Sequence, residues 1–231
     1  GIVQPTDIRD PNYFHKVVDC QWACPAHTPV PEYIRLIAAG RYADAYMVNW
    51  KSNVFPGILG RTCDRPCEPA CRRGRVEENN GENPEPVAIC RLKRVAADNK
   101  GDVQARMPKP AAARNGKRIA CIGAGPASLT VARDLAPLGY DVTVFEADPK
   151  GGGFMRTQVP RFRLPESVID EEVGYILDLG VTLKSKQRIE SMRAMLGQGF
   201  DAVFVGTGAP RGRARGGSRP AGACARPAGR C

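Results

Sequence analysis

The sequence predicts a helical, cysteine-bearing module followed by an α/β domain built on a parallel sheet. Three observations carry that expectation. Six of the nine cysteines fall between Cys20 and Cys90, among segments of helical periodicity. After residue 116 the pattern changes to short apolar runs alternating with amphipathic helices. A glycine-rich turn joins the first of those runs to the helix that follows it.

Residues 1–30 read as irregular. Pro31 to Ala39 is expected as a short helix, since Pro suits a helix start, Tyr33, Ile34 and Ile37 share one face, and Gly40 can end it. Arg41 to Lys51 reads as a second helix, and residues 52–62 as a loop bearing Gly and Pro. Cys67 to Arg73 is expected as a short helix, Glu77 to Pro86 as a polar loop, and Pro86 to Asn99 as a third clear helix. Residues 101–116 (GDVQARMPKPAAARNG) have the composition of a linker. Beyond them, Lys117 to Ile122, Asp141 to Glu146, Val181 to Leu183 and Asp201 to Val205 read as strands. Pro126 to Leu138, Pro165 to Leu179 and Ser191 to Leu196 read as helices. The domains expected are therefore 1–100, helical, and 117–208, α/β, with 101–116 between them.

The net charge of +10 would by itself point to an acidic partner such as nucleic acid. Six Arg and no acid stand in 209–231, which leaves an unremarkable +4 elsewhere. That stretch is low-complexity Arg/Gly/Ala/Pro. It reads either as a disordered, polyanion-binding tail or as a GC-rich gene translated in a shifted frame, and nucleic-acid binding is not expected of the rest. No apolar run approaches the ~20 residues of a membrane span. Gly1 to Phe14 has no signal-peptide core, so a reducing, cytoplasmic setting is expected, and disulfides are disfavoured. The missing initiator Met suggests residues upstream.

The turn reads Gly123, Ala124, Gly125, Pro126, Ala127, Ser128, directly after a strand and before a helix. Gly123 permits the tight turn, and Gly125 lets backbone approach a pyrophosphate. The helix N-terminus presents free N–H groups to it. Ser128 stands where the third glycine of such a fingerprint would be and is small enough to keep the packing. Glu146 ends the second strand, where a ribose hydroxyl would be held. An acid there disfavours a 2′-phosphate, so FAD or NAD fits and NADP does not. Gly151 to Phe154, Arg163 and the small-residue turn Gly206 to Gly208 favour FAD.

The cysteines fall as Cys20 and Cys24, followed by Pro25; then Cys63, Cys67 and Cys71; then Cys90. Cys-Pro and ligands gathered from distant segments suit an iron–sulfur cluster. Zinc more often takes mirrored pairs, and buried structural thiols are the third reading. Cys121 lies inside a strand and reads as a small buried hydrophobe. His15 and His27 read as surface or structural residues, with metal ligation by His15 the lesser alternative.

These motifs together resemble a known family. CQWACP, GRTCDRPCEPAC, KRIACIGAGPASL, VTVFEADPKGGGF, VPRFRLPESVID and DAVFVGTGAP are similar to the small (β) subunit of bacterial glutamate synthase and its relatives. Those relatives include the N-terminal half of dihydropyrimidine dehydrogenase and flavin subunits of ferredoxin-linked oxidoreductases. The resemblance covers roughly residues 10–211 and implies an α-helical iron–sulfur module followed by a Rossmann-like FAD-binding domain. It implies hydride entry from NADPH to FAD and exit of single electrons through 4Fe–4S clusters to a larger oxidoreductase subunit in a hetero-oligomer. That partner would be of the glutamate synthase or 2-oxoacid:ferredoxin oxidoreductase type.

Carried over, one cluster uses Cys24, Cys63, Cys67 and a ligand from the third helix, where Cys90 stands. The other uses Cys20, Cys71 and an upstream pair, but Asn12 and His15 occupy those places here. One complete 4Fe–4S cluster is therefore expected, with the second lacking two thiolates. The flavin contacts implied are Ala124 to Ser128, Glu146, the turn containing Gly152, Gly153 and Phe154, Arg163, Ile189, Thr207 and Gly208. In the family an NADPH fold follows the GTGAP region, and no second glycine fingerprint stands in 209–231. The FAD domain is thus expected to be incomplete and NADPH to bind only where a missing domain supplies its site. No catalytic acid or base is expected. The competing reading is a non-catalytic assembly or docking subunit with a structural cluster and a degenerate FAD fold.

Overall fold

A computed structural model describes residues 18–75 and 85–209. The first part is helical, with α1 (Asp19–Ala23), α2 (Val30–Ala38), α3 (Tyr42–Asn53), α4 (Pro56–Thr62) and α5 (Ile89–Asp98). The second alternates strand and helix: β1 (Arg118–Ile122), α6 (Pro126–Leu135), β2 (Asp141–Phe145), α7 (Phe154–Thr157), α8 (Glu166–Leu177), β3 (Thr182–Lys184), α9 (Met192–Leu196) and β4 (Ala202–Val205).

The four strands are all parallel, in the order β3-β2-β1-β4. Chain order runs one way from β1 through β2 to β3, then crosses to the far side of β1 as β4. A crevice opens at such a reversal, outside the carboxyl ends of the strands. β1 and β2 are buried almost throughout, as a sheet covered on both faces requires. Ser191 caps α9 by accepting the Ala194 N–H at 3.2 Å.

Three sequence expectations differ from what the chain does. Residues 52–62, expected as a loop, contain α4. Pro56 occupies its first turn, where a missing N–H is harmless. Its glycines serve contact rather than flexibility: a Cβ on Gly60 would sit 2.8 Å from Arg94 Cα and N. Backbone of α4 thus lies against backbone of α5. Residues 67–73, expected as a helix, form turns followed by a 3-10 turn over Arg72–Arg75. Pro66 and Pro69 deny them helical hydrogen bonds. Within the irregular opening, α1 forms, carrying Cys20 in its first turn and ending at Cys24.

The halves share a core. Val54, Phe55 and Ile58 of the helical part pack with Ile119, Leu129, Ile169 and Ile176 of the α/β part. Residues 101–116, read as a linker, are pinned by buried Val103 and Met107 against Tyr46, Trp50 and Tyr175. Glu172 on α8 is 1% exposed and reaches across the junction. Its carboxylate accepts the Gly57 N–H at 2.7 Å, the Ile58 N–H at 3.0 Å and the Tyr46 O–H at 2.9 Å. Two of the orphan donors of the α4 N-terminus are thereby satisfied. Arg133 of α6 adds a second clamp, donating to Trp50 O at 2.6 Å and lying over the Trp50 ring at 4.8 Å.

Candidate functional site

The crevice at the strand ends is a cavity of about 1020 Å³. The β1–α6 turn forms its floor, with Gly123, Gly125, Pro126 and Ala127. Glu146 lies on one wall, Gly153 and Phe154 on another, and Ile189, Thr207 and Gly208 close the rest. The floor depends on missing side chains. Gly123 has φ +87°, and a Cβ there would meet Gly206 O at 2.7 Å. The backbone of β4's exit therefore touches the turn, and the space above it stays open for a ligand.

Glu146 is buried, and its carboxylate is already bonded: Oε2 accepts the Ala124 N–H at 2.6 Å and Oε1 the Asp148 N–H at 2.9 Å. It braces the turn from the second strand while lining the cavity. Four expected flavin residues stand behind or away from the lining. Ala124 is buried beneath it. Ser128 is fully buried, its Oγ without a partner among the described residues. Gly152 is buried and donates its N–H to Ala124 O. Arg163 is directed to the other half, where its Nε donates to Arg61 O at 2.9 Å. The structure adds lining residues that sequence reasoning missed, among them Asp148, Gln158, Gln187 and Arg188. The last two follow β3, where no sequence motif marked them.

The crevice fits a flavin dinucleotide. Its volume stands at the upper end for ligand cavities, its floor is a helix N-terminus behind close-packed glycines, and its walls mix aromatic and polar groups.

The cysteines gather on the helical half, around Tyr33. That side chain is fully buried, and its O–H donates to Ile89 O at 3.3 Å. Burial, together with the sulfurs of Cys67, Cys90, Cys20 and Cys24, drives its phenol upward from the usual value. Cys63 caps the C-terminus of α4, and Cys90 lies in the first turn of α5, with its Sγ 3.4 Å from Gly60 O. The close α4–α5 crossing sets these two thiols near each other, and their mutual interaction holds Cys63 well below the ordinary thiol value and pushes Cys90 up. Arg65 adopts a left-handed φ of 58°, and its N–H points at Cys63 Sγ at 3.4 Å. Strain of this kind in a residue between two thiols is typical of ligand-presenting loops. Burial raises Cys67 to about 11, opposed by the Lys93 ammonium and reinforced by Cys63 and Cys24.

Cys20 and Cys71 form a separate neighbouring pair: burial first, then the Cys71 sulfur, raises the Cys20 thiol. All seven described cysteines are free thiols. Among the described residues, no three His, Cys, Asp or Glu side chains converge as ligands of a single ion. Ligands of a four-iron cube stand further apart than those of one zinc. The chemistry of the donor set suits the cube: four thiols from three separate segments, a backbone N–H aimed at sulfur, and a buried cation among them. His27 is exposed and stacks edge-on to Trp22. Cys121 is fully buried in β1, and burial raises its thiol to about 11, as expected for an inert core residue. His15, Asn12, Cys224, Cys231 and the Arg-rich stretch from residue 210 lie outside the described residues. No helix among the described residues is long and apolar enough to cross a membrane.

Comparison with known proteins matches both halves. Residues 14–105 match the family described as dihydropyrimidine dehydrogenase domain II, 4Fe-4S cluster. Residues 121–196 match the NAD(P)-binding Rossmann-like domain. The NADP(+)-dependent formate dehydrogenase subunit beta of Moorella thermoacetica is 37% identical over 82% of this chain and 29% of its own length. The NADPH-Fe(3+) oxidoreductase subunit beta of Geobacter sulfurreducens (strain DL-1 / KN400) is 34% identical over 91% of this chain and 32% of its own. The NAD-dependent dihydropyrimidine dehydrogenase subunit PreT of Salmonella typhimurium is 36% identical over 71% of this chain and 38% of its own. The chain spans about a third of the length of these curated relatives.

Proposed function

The chain belongs to the dihydropyrimidine-dehydrogenase and glutamate-synthase-β-like family of iron–sulfur and FAD oxidoreductases, and on that premise we propose that it carries electrons between a flavin and a cluster within a larger NAD(P)H-linked enzyme. When bound, FAD exchanges a hydride with a nicotinamide and releases electrons singly, and a 4Fe–4S cluster accepts them one at a time. The remaining work falls to this chain's residues. Gly123, Gly125 and the N-terminus of α6 hold the pyrophosphate. Glu146 fixes the turn and faces the ribose. Ile189, Thr207 and Gly208 line the flavin's pocket. Cys24, Cys63, Cys67 and Cys90 ligate the cluster, while Cys20 and Cys71 are the remnant of a second site. The protein divides into an iron–sulfur module (1–100), a connection (101–116) and an FAD domain (117–208).

The donor is a nicotinamide bound outside this chain's own cleft, and the acceptor is a larger oxidoreductase subunit of a hetero-oligomer. The names of the relatives, which pair a β subunit or its equivalent with formate, ferric iron or dihydropyrimidine chemistry, support that reading. The observation that carries it is the shared core and the Glu172 junction. They hold α4, whose C-terminus Cys63 caps, against the domain that contains the cleft. Fixed geometry between two redox groups is what electron transfer needs and what a mere docking module does not. The experiment is anaerobic stopped-flow spectroscopy on the full chain. A chemical donor reduces the flavin, and electrons then appear in the cluster absorbance. Flavin reduction that never reaches the cluster would favour the assembly-subunit reading.

A further inference from the structure

Lys93 lies on α5, one helical turn after Cys90 and on the same face. Its side chain is buried, with only 6% of the residue exposed. A buried ammonium is costly unless an anion compensates it. Among the described residues no carboxylate does so. Glu68, which also acts on the Cys67 and Cys90 thiols, accepts the Cys90 N–H at 3.0 Å with one oxygen and faces Arg65 at 3.7 Å with the other. Asp98 on the same helix is taken by Arg61 and Arg94. The groups that feel Lys93 are instead the sulfurs of Cys63, Cys67 and Cys90. The Gly60–Arg94 backbone contact, which leaves no room for a Cβ, fixes α5 against α4 and so fixes the cation beside these thiols.

We propose that Lys93 is a positioning and charge-compensating residue for an anionic metal–thiolate group held by Cys24, Cys63, Cys67 and Cys90, and that it raises that group's reduction potential. This rests on the function proposed above. A cation held on the thiol-bearing face and largely withdrawn from water favours the reduced form because that form carries one more negative charge. Lys93 is not among the residues that line the cleft, so its effect falls on the cluster alone.

The test uses the full-length chain prepared anaerobically with its cofactors, as wild type, K93M, K93Q and K93R. Iron and flavin content are measured, together with the cluster midpoint potential from an EPR-monitored titration. In K93M and K93Q the equilibrium constant for cluster reduction falls at least about tenfold, a negative shift of about 59 mV for a one-electron couple. K93R stays near the wild-type potential, and flavin content is unchanged throughout. Iron-loaded K93M at the wild-type potential overturns the inference. If K93M and K93Q instead lose iron, retention of iron by K93R supports charge compensation, whereas loss in K93R too shows that shape alone matters and overturns it. A wild-type chain with flavin but no iron sinks the functional reading itself, whatever the variants do.

Discussion

Replacing Glu172 by Gln tests how the two halves are joined. The carboxyl is 1% exposed, and burial pushes it up to about 7 from its ordinary 4.5, against the opposing pull of the Gly57 and Ile58 N–H groups and the Tyr46 O–H. A folded value above the unfolded one means the native state binds this proton more tightly. Its contribution to stability is complete below pH 4.5 and is lost as pH rises through 7. At about 1.4 kcal/mol per pH unit, that interval corresponds to about 3 kcal/mol. Glutamine has no proton to lose. It also turns an amide N–H₂ or a single carbonyl toward three donors, leaving at least one of them without an acceptor, which costs about 1–3 kcal/mol. Urea unfolding of wild type and E172Q from pH 5 to pH 8 reads both effects. The variant is the less stable at pH 5 by about 1–3 kcal/mol, and the wild type loses about 2–3 kcal/mol between pH 5 and pH 8, so the gap closes or reverses. The carboxylates held low by arginine and lysine, such as Asp98 and Asp170, titrate below this range and act equally in both proteins, so they cancel in the difference. Parallel curves across that range would refute the burial argument.

Three further outcomes follow from packing and backbone geometry. Gly60→Ala forces α4 off α5 and costs about 1–3 kcal/mol, and it lowers iron content more than flavin content because Cys63 and Cys90 separate; metal and flavin analysis of the purified variant checks both. Gly123→Ala pays about 1–2 kcal/mol for a left-handed φ and clashes with Gly206 O, so flavin affinity falls at least about tenfold while iron is retained, as a fluorescence titration would read. Arg133→Ala removes the bond to Trp50 O and the ring contact, and the thermal midpoint falls by the equivalent of about 2 kcal/mol, with the Trp50 emission shifted to the red.

Much of this was legible because local chemistry and tertiary role coincide. The β1–α6 turn needs glycine at position 123 for its conformation and at 125 for its closeness to a ligand, so its composition already says what it is. The strands and α8 followed from apolar runs, and their ends shifted by only a residue or two. Helix α4 was not legible, because Pro56, Gly57 and Gly60 have poor helix propensity and signal a loop. They form a helix because glycine admits the α5 backbone and Glu172, more than a hundred residues away, caps the free N–H groups. The same distance hides Lys93 and Arg163. A lysine in a helix reads as surface, and an arginine after a glycine-rich turn reads as a flavin contact, until the fold shows one buried on the thiol-bearing helix and the other bonded to Arg61. The pairing of Cys63 with Cys90 was carried by family resemblance, since sequence spacing alone does not place two helix ends side by side.

Iron, labile sulfide and flavin counted in one anaerobically prepared sample of the full chain, with an EPR spectrum after dithionite, bear most directly on a cluster seated beside a flavin cleft. The account predicts one flavin and one four-iron cluster per chain, the cluster signal vanishing in C63A without loss of flavin. Stoichiometric zinc in place of iron, or a cluster signal untouched in C63A, would contradict it.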